Sequence, residues 1–394
     1  MSFIKDAQKI LQQNIREYGM FIALFVIMSI FTWTTDGIFI SSRNISNLLN
    51  QTGYIAVLAV GMTLVIVIRH IDLSVGFLAG FLGAVAAIAL VSWNLPTIVV
   101  IPLVLLFGAL AGMITGFLVA QMKIPSFVAT LAGWLIYRGA ILLVTESTGT
   151  IIIPDKAFNA IGNGYVPDIP GLTFLPEVHK LTLLLGLIGI AFYIYSEIDS
   201  RNKKLAYNFE VLPPAMFIIK LVFVSMIIGG ITWVLAGYNG LSWTVVVVLI
   251  VVALYDFVAS RTVLGRHIYA IGGNPDAAEL SGISVKRLIY VVFGSMGMLS
   301  ALSGILFTAR LQSATTTAGT LFELDAIAAA YVGGVSAAGG VGKVMGSIIG
   351  ALVMTSLTSG MNLMGTGISY QYIVRGAVLA AAVIFDVATR NRGK

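Results

Sequence analysis

Apolar residues recur along this chain in long, nearly uncharged runs separated by short polar stretches. Twelve such segments are legible, at 20–34, 53–69, 76–92, 97–121, 126–145, 181–196, 215–236, 242–259, 287–310, 323–338, 344–361 and 369–388. A helix of about 20 apolar residues crosses the hydrocarbon layer of a bilayer, and lipid leaves the backbone no hydrogen-bond partner outside the helix. The pattern therefore predicts an all-α, polytopic transmembrane bundle of about 12 spans, one membrane domain over residues 1–394. The polar, partly basic residues 1–19 precede the first run, and no small-x-small cleavage site follows it, so it is read as a retained span. Segment 323–338 is the candidate for a re-entrant rather than a spanning segment.

Composition sharpens this picture. The chain is 58% hydrophobic and only 10% charged, with no cysteine and three histidines, His70, His179 and His267. Disulfides, thiol chemistry and iron–sulfur clusters are excluded, and a histidine-rich metal site is not expected. Forty-two glycines suit membrane helices, which associate through small residues. A net charge of +6 could suggest nucleic acid, but lysine and arginine held in cytoplasmic loops explain it more simply, and no nucleic-acid partner is expected. Alternating spans from an inside N-terminus place Lys5, Lys9, Arg16, Arg69, Lys123, Arg201, Lys203, Lys204, Arg261, Arg266, Lys286, Arg287, Lys343, Arg390, Arg392 and Lys394 inside. Only Arg43, Lys156, Lys180 and Arg310 fall outside, so both termini are expected in the cytoplasm.

Several local patterns stand out. The glycine pairs Gly76/Gly80, Gly112/Gly116 and Gly346/Gly350 each lie on one helix face and predict close helix packing. Residues 59–84 and 330–351 echo each other, each with paired glycines, a polar break and a small-xxx-small helix, as internal repeats of transporters do. The outer loop 146–180 carries Pro154, Pro167, Pro170 and Pro176 and offers a surface to another protein. Within 261–287, Asn274 can cap a short helix begun by Pro275, with Asp276 favoured at its positive end. Such a segment is either a rigid lever or a solvated connection, and the residues alone leave both open.

The segment Gly265, Arg266, Ala270, Gly272, Asn274, Asp276, Ala277, Ala278, Glu279, Ser281, Gly282 resembles the cytoplasmic signature of ribose/xylose-type ABC sugar permeases. The blocks IDLSVG (71–76), PSFVATLAG (125–133), ELDAIAAAYVGG (323–334) and YQYIVRGAVL (370–379) resemble further blocks of that family, in family order. The resemblance implies that 261–287 is the coupling loop that docks on a double-domain ATPase. It also implies an external sugar-binding protein, a second copy of the chain, and a bacterial inner-membrane location. ATP and magnesium would be bound by the partner, with no cofactor in this chain. Extra length at 155–240, with two spans beyond the ten of shorter relatives, is similar to the xylose and multiple-monosaccharide branch.

Ionisable groups within or beside spans are costly and so mark function. Asp72, Ser74, Arg138, Glu323, Asp325, Asn362, Gln371 and Arg375, with Thr32 and Trp33 at a span end, are the candidates for the path or for holding the bundle. Asp72 adjoins Arg69 and His70, which suggests a local ion pair capping helix ends, and Glu323 and Asp325 suit a helix N-terminus. GGVGKV (339–344) imitates a phosphate loop, yet Ala337 stands where glycine is required and Val344 where Ser or Thr binds metal. Tyr255-Asp256 lacks a partner motif, so a permease without catalytic residues is expected. Two other classes compete: a secondary transporter or facilitator for small polar solutes, and a membrane receptor or scaffold, which would have no need of the coupling-like loop.

Overall fold

The apolar segments have no hydrogen-bond partners but their own backbones, and they form helices almost throughout. The computed structural model describes residues 15–171, 177–209 and 211–391. Lys5, Lys9, Pro176, Arg392 and Lys394 lie outside the described residues, as do the side chains of Arg16 and Arg390. In chain order the helices are α1 (Ile15–Thr34), α2 (Ser42–Val67), α3 (Val75–Val91), α4 (Thr97–Ala120), α5 (Ser126–Thr145), α6 (Lys156–Asn163), α7 (Lys180–Ala206) and α8 (Pro214–Ala236). They continue as α9 (Trp243–Arg261), α10 (Val263–Gly273), α11 (Pro275–Leu280), α12 (Val285–Leu311), α13 (Phe322–Val332), α14 (Val344–Leu363) and α15 (Ile368–Asn391). Strands β1 (Thr150–Ile152) and β2 (Ser313–Thr315) pair antiparallel, Ile151 opposite Ala314.

Among the described residues nine helices are long and apolar enough to cross a membrane: α2, α4, α5, α7, α8, α9, α12, α14 and α15. Two shorter apolar helices, Gly19–Thr34 within α1 and Val75–Val91, account for two more of the expected segments. The chain is thus a polytopic helical membrane protein. Its remaining segment, 323–338, yields only the 11 helical residues of α13, about 16 Å long and half of a crossing.

The chain forms two compact units. Unit 1 holds residues 1–39, 48–164 and 244–394. At its core lie α2 and α14, whose most apolar stretches are 89% and 83% buried, whereas those of α4, α5 and α15 are no more than 22% buried and keep apolar faces outward. Those outward faces suit lipid. Small residues set the inner contacts: Gly112 lies against the Phe293 carbonyl of α12, and Gly350 against Ala329 of α13. Hydroxyls add polar contacts between α2 and α14, Thr52 Oγ1 to Thr355 Oγ1 at 2.6 Å.

The route of 313–343 through unit 1 follows from its partners. β2 pairs with β1, which follows the C-terminus of α5, while Ser126 at the α5 N-terminus lies beside Ile71. Beyond α13, Gly340 donates to the Val67 carbonyl at the C-terminus of α2. The segment therefore runs from one end of unit 1 to the other, as irregular chain packed along α3 at Gly76 and Gly80 and then as α13. It passes through rather than turning back. The α2–α3 break behaves alike, residues 68–74 climbing along α5 from Ser126 to Gly133 before α3 begins.

Unit 2 comprises residues 40–47 and 165–243, built on the pair α7 and α8. Gly186 packs against Thr232, Lys220 bonds both oxygens of Glu197 at 2.8 Å, and the Arg201 guanidinium lies 4.6 Å from the Phe217 ring centre. The start of α7 is tied to the preceding loop. Asp168 Oδ1 accepts from the Leu181 amide at 2.8 Å and Oδ2 from Lys180 Nζ at 3.4 Å. Backbone donors, the Leu181 amide first, hold the half-buried Asp168 carboxyl well below the usual carboxylate range.

Candidate translocation and coupling site

Inside unit 1 the two irregular segments each end in a helix N-terminus. At the first, buried Asp72 accepts from the Ser74 amide at 2.9 Å and from its hydroxyl at 2.6 Å, folding the turn that begins α3. Arg69 does not pair with it, contrary to the local ion pair that the sequence suggested; the guanidinium reaches the carbonyls of Gly272 and Gly273 instead. At the second, buried Glu323 lies in the first turn of α13, beside Gly76. Trp134 Nε1 donates to Glu323 Oε1 at 3.0 Å, while Oε2 has no partner among the described residues.

One turn along α5 from Trp134, Arg138 donates to the Thr316 carbonyl at 2.6 Å and stands 5.0 Å from the Phe77 ring centre. The Phe77 ring meets Trp134 edge-on at 4.8 Å. Arg138 therefore braces the irregular stretch ahead of α13 by a charge-assisted bond to a carbonyl that no helix satisfies. On the opposite flank of α13, Arg375 on α15 pairs with Asp325 at 3.4 Å and donates to Thr358 of α14 at 2.7 Å. A cavity of about 380 Å³ opens there, lined by Asp325, Arg375, Met354, Tyr372 and apolar neighbours. Asn362 and Gln371 bond each other at 2.8 Å, and Gln371 also reaches the Thr366 carbonyl at 3.0 Å, which locks the α14–α15 turn. Thr32 bonds back to Met28, and Trp33 is exposed.

The segment 261–287 forms α10 and α11. Thr262 caps α10 by accepting from the Gly265 amide at 3.2 Å, and Asn274 caps α11 by accepting from the Ala277 amide at 3.1 Å, with Pro275 first and Asp276 in the first turn. Gly282, at φ +84°, reverses the chain, and the Ile283 amide returns to Ala278 at 3.0 Å. The named residues divide by burial. Gly265, Gly272 and Ala278 are buried and anchor the segment; Arg266, Ala270, Asn274, Asp276, Ala277, Glu279, Ser281 and Gly282 are exposed. Leu280 joins them, 90% exposed.

The anchoring runs to both breaks. Besides the Arg69 bonds, Gly340 donates to Val67 at 2.9 Å and Tyr269 donates to the Gly342 carbonyl at 2.6 Å. The imitation phosphate loop is thus a structural loop, its amide spent on the end of α2. Sequence reading missed Arg69, Tyr269 and Trp134 as site residues. It also missed the ring cluster of Tyr54, Phe307 and Phe322, with centroids 4.9 to 5.2 Å apart, at the start of α13. Only the spacing of Trp134 and Arg138, one turn apart beside a break, offered a signal.

The chain has relatives along nearly its whole length. It is 40% identical to the xylose transport system permease protein XylH of Escherichia coli K12 over 381 residues, 96% of this chain and 93% of the relative. Identity to the Haemophilus influenzae XylH is 40% over 385 residues, 98% and 99% of the two chains. The ribose import permease protein RbsC of Escherichia coli K12 is 34% identical over 370 residues, 94% and 93%. No solved structure matches significantly. The model of the family described as branched-chain amino acid transport system / permease component matches residues 44–164 and 172–383. By that match and those identities, the chain belongs to this family of transport-system permease components.

Proposed function

We propose that this chain is the membrane-spanning subunit of an ATP-driven importer of monosaccharides of the xylose, galactose, glucose and arabinose class, working in a bacterial inner membrane. The observation that carries this reading is the near-complete alignment with permeases named for xylose and ribose. Sugars are uncharged and rich in hydroxyls. A path for them calls for polar groups held in place and brief contacts, which buried Ser74, Glu323 and Asp72 at two helix N-termini could supply. Arg138 and Arg375 brace the irregular chain and α13 around that path.

In this reading 261–287 is the coupling loop. Its exposed Arg266, Asp276, Glu279, Leu280 and Ser281 meet a double-domain ATPase that binds ATP and magnesium, while buried Gly265 and Gly272 fix its root. Two copies of the chain form the pathway, an external binding protein delivers sugar, and residues 155–240 are a branch-specific insertion contributing two spans. Membrane lipid covers the apolar faces.

The test is the ATPase activity of the chain reconstituted with its genomically adjacent ATPase and binding protein, with and without a panel of aldoses. Stimulation by particular loaded binding proteins is the expected result and names the sugars. Sugar flux in vesicles lacking the ATPase would make the chain a facilitator and refute the proposal.

A further inference from the structure

Arg69 occupies a backbone conformation that side-chain-bearing residues seldom adopt. Its φ is +65°, and its amide and that of His70 return to Ile66 and Val65 at 2.9 and 3.0 Å, closing the C-terminus of α2. Glycine is the usual occupant of such a position, because a Cβ is strained there. What an arginine adds is its side chain. Nε donates to the Gly272 carbonyl at 2.7 Å and a terminal nitrogen to the Gly273 carbonyl. These are the last two carbonyls of α10, acceptors with no partner in their own helix, at the negative end of its dipole.

The same point gathers a third segment. Gly272 lies against both the Val67 carbonyl and Gly340, leaving no space for a side chain. Gly340 donates to Val67, and Tyr269 on α10 donates to Gly342. The end of α10, the α2–α3 break and the loop joining α13 to α14 are therefore one bonded node. Each of the two discontinuous crossings of unit 1 enters it through a different strand of chain.

We propose that Arg69 is the positioning residue that ties the coupling segment to both discontinuous crossings, so that displacement of α10 and α11 moves the two breaks together. The proposal rests on the importer reading above. Arg69 touches neither sugar nor nucleotide; it acts through the carbonyls of Gly272 and Gly273. Without the clamp, the exposed face of the segment still meets the ATPase, but the end of α10 slips against the breaks and hydrolysis no longer drives the path.

The discriminating variant is Arg69→Gly, which accepts a positive φ without strain and removes the clamp together with the side-chain stem that lies against Gly339. A residue that served only to close the end of α2 would be replaced by glycine at no loss. The complete complex in proteoliposomes, loaded with binding protein and sugar, is assayed for sugar taken up per ATP hydrolysed, and copurification of the ATPase is measured beside it. The expected result is intact copurification with a fall in that ratio on the order of tenfold, since two charge-assisted bonds are lost. Arg69→Lys, with a point charge instead of a fork, falls between the two. An Arg69→Gly complex that transports with the wild-type ratio overturns the proposal, and so does one that loses the ATPase on purification, because Arg69 would then serve assembly. A wild-type complex whose ATPase ignores the loaded binding protein refutes the importer reading instead, a separate outcome read before any variant is made.

Discussion

Replacing Gly112 by alanine should loosen the bundle, whereas the same change at Gly139 should not. A methyl built on Gly112 overlaps the Phe293 carbonyl oxygen and stands 2.8 Å from its carbon and 3.0 Å from the Gly294 Cα, all backbone atoms of α12. Carbon atoms rest comfortably at about 3.5–4.0 Å, so the carbon contacts alone require α4 and α12 to part by roughly 0.5–1 Å, and the tighter contact with the oxygen requires more. Backbone cannot rotate aside as a side chain can. Overpacking of this kind costs about 1–3 kcal/mol, against which the better helix propensity of alanine returns at most about 1 kcal/mol. The net is a destabilisation on the order of 1–2 kcal/mol. Gly139 lies in α5 with nothing within 4 Å of its added methyl, so only the propensity gain remains. Thermal unfolding of the detergent-solubilised protein, followed by intrinsic fluorescence, reads both. A Gly112→Ala protein melting at or above wild type, with Gly139→Ala below it, would refute the reasoning that backbone contact and not glycine content sets the packing.

The other expectations are briefer. Arg375→Met strands Asp325 among apolar neighbours and should cost up to about 3 kcal/mol, less than a fully buried pair because each side chain keeps about a fifth of its surface exposed. Adding Asp325→Asn should restore part of that loss, and a double-mutant cycle in thermal stability measures how much. Asp168 is held ionised, with its folded pKa below the unfolded one, so the tie it gives the start of α7 is fully present above the usual carboxylate value and is lost as pH falls through the lower folded value. Hydrogen exchange at the Leu181 amide should therefore be protected alike at pH 5 and pH 7 and become fast in Asp168→Asn. Leu280, nine-tenths exposed, contributes little to the fold, and Leu280→Glu should melt like wild type. If the importer reading holds, that variant loses the copurifying ATPase; retention of the ATPase would place the docking surface elsewhere.

How much of the site could be read from residues alone differs from element to element. The cap of α11 was legible because Asn274, Pro275 and Asp276 act on amides within three residues, and local bonds need no tertiary partner. The glycine pairs announced close packing for the same reason: their spacing on a helix is fixed. Glu323 and Asp325 could be placed at a helix N-terminus, but not beside Trp134 and Arg375, which lie far away in the chain. Asp72 misled by proximity. Adjacent Arg69 looked like its counter-charge, yet the backbone turn aims that guanidinium at α10 and gives Asp72 to Ser74.

Sequence alone determined that the chain lives in a membrane, roughly where its long apolar helices lie, and which family its blocks resemble. Each of those follows from hydropathy, local bonding or the order of motifs. Tertiary structure decided the rest: that 313–343 crosses the bundle as irregular chain and a half-length helix, that two helix N-termini lie inside it, and that one arginine joins three distant segments. Hydropathy reports only whether a residue tolerates an apolar surrounding. Irregular backbone inside a membrane is tolerated only where neighbours satisfy its polar groups, and those neighbours are supplied by the fold.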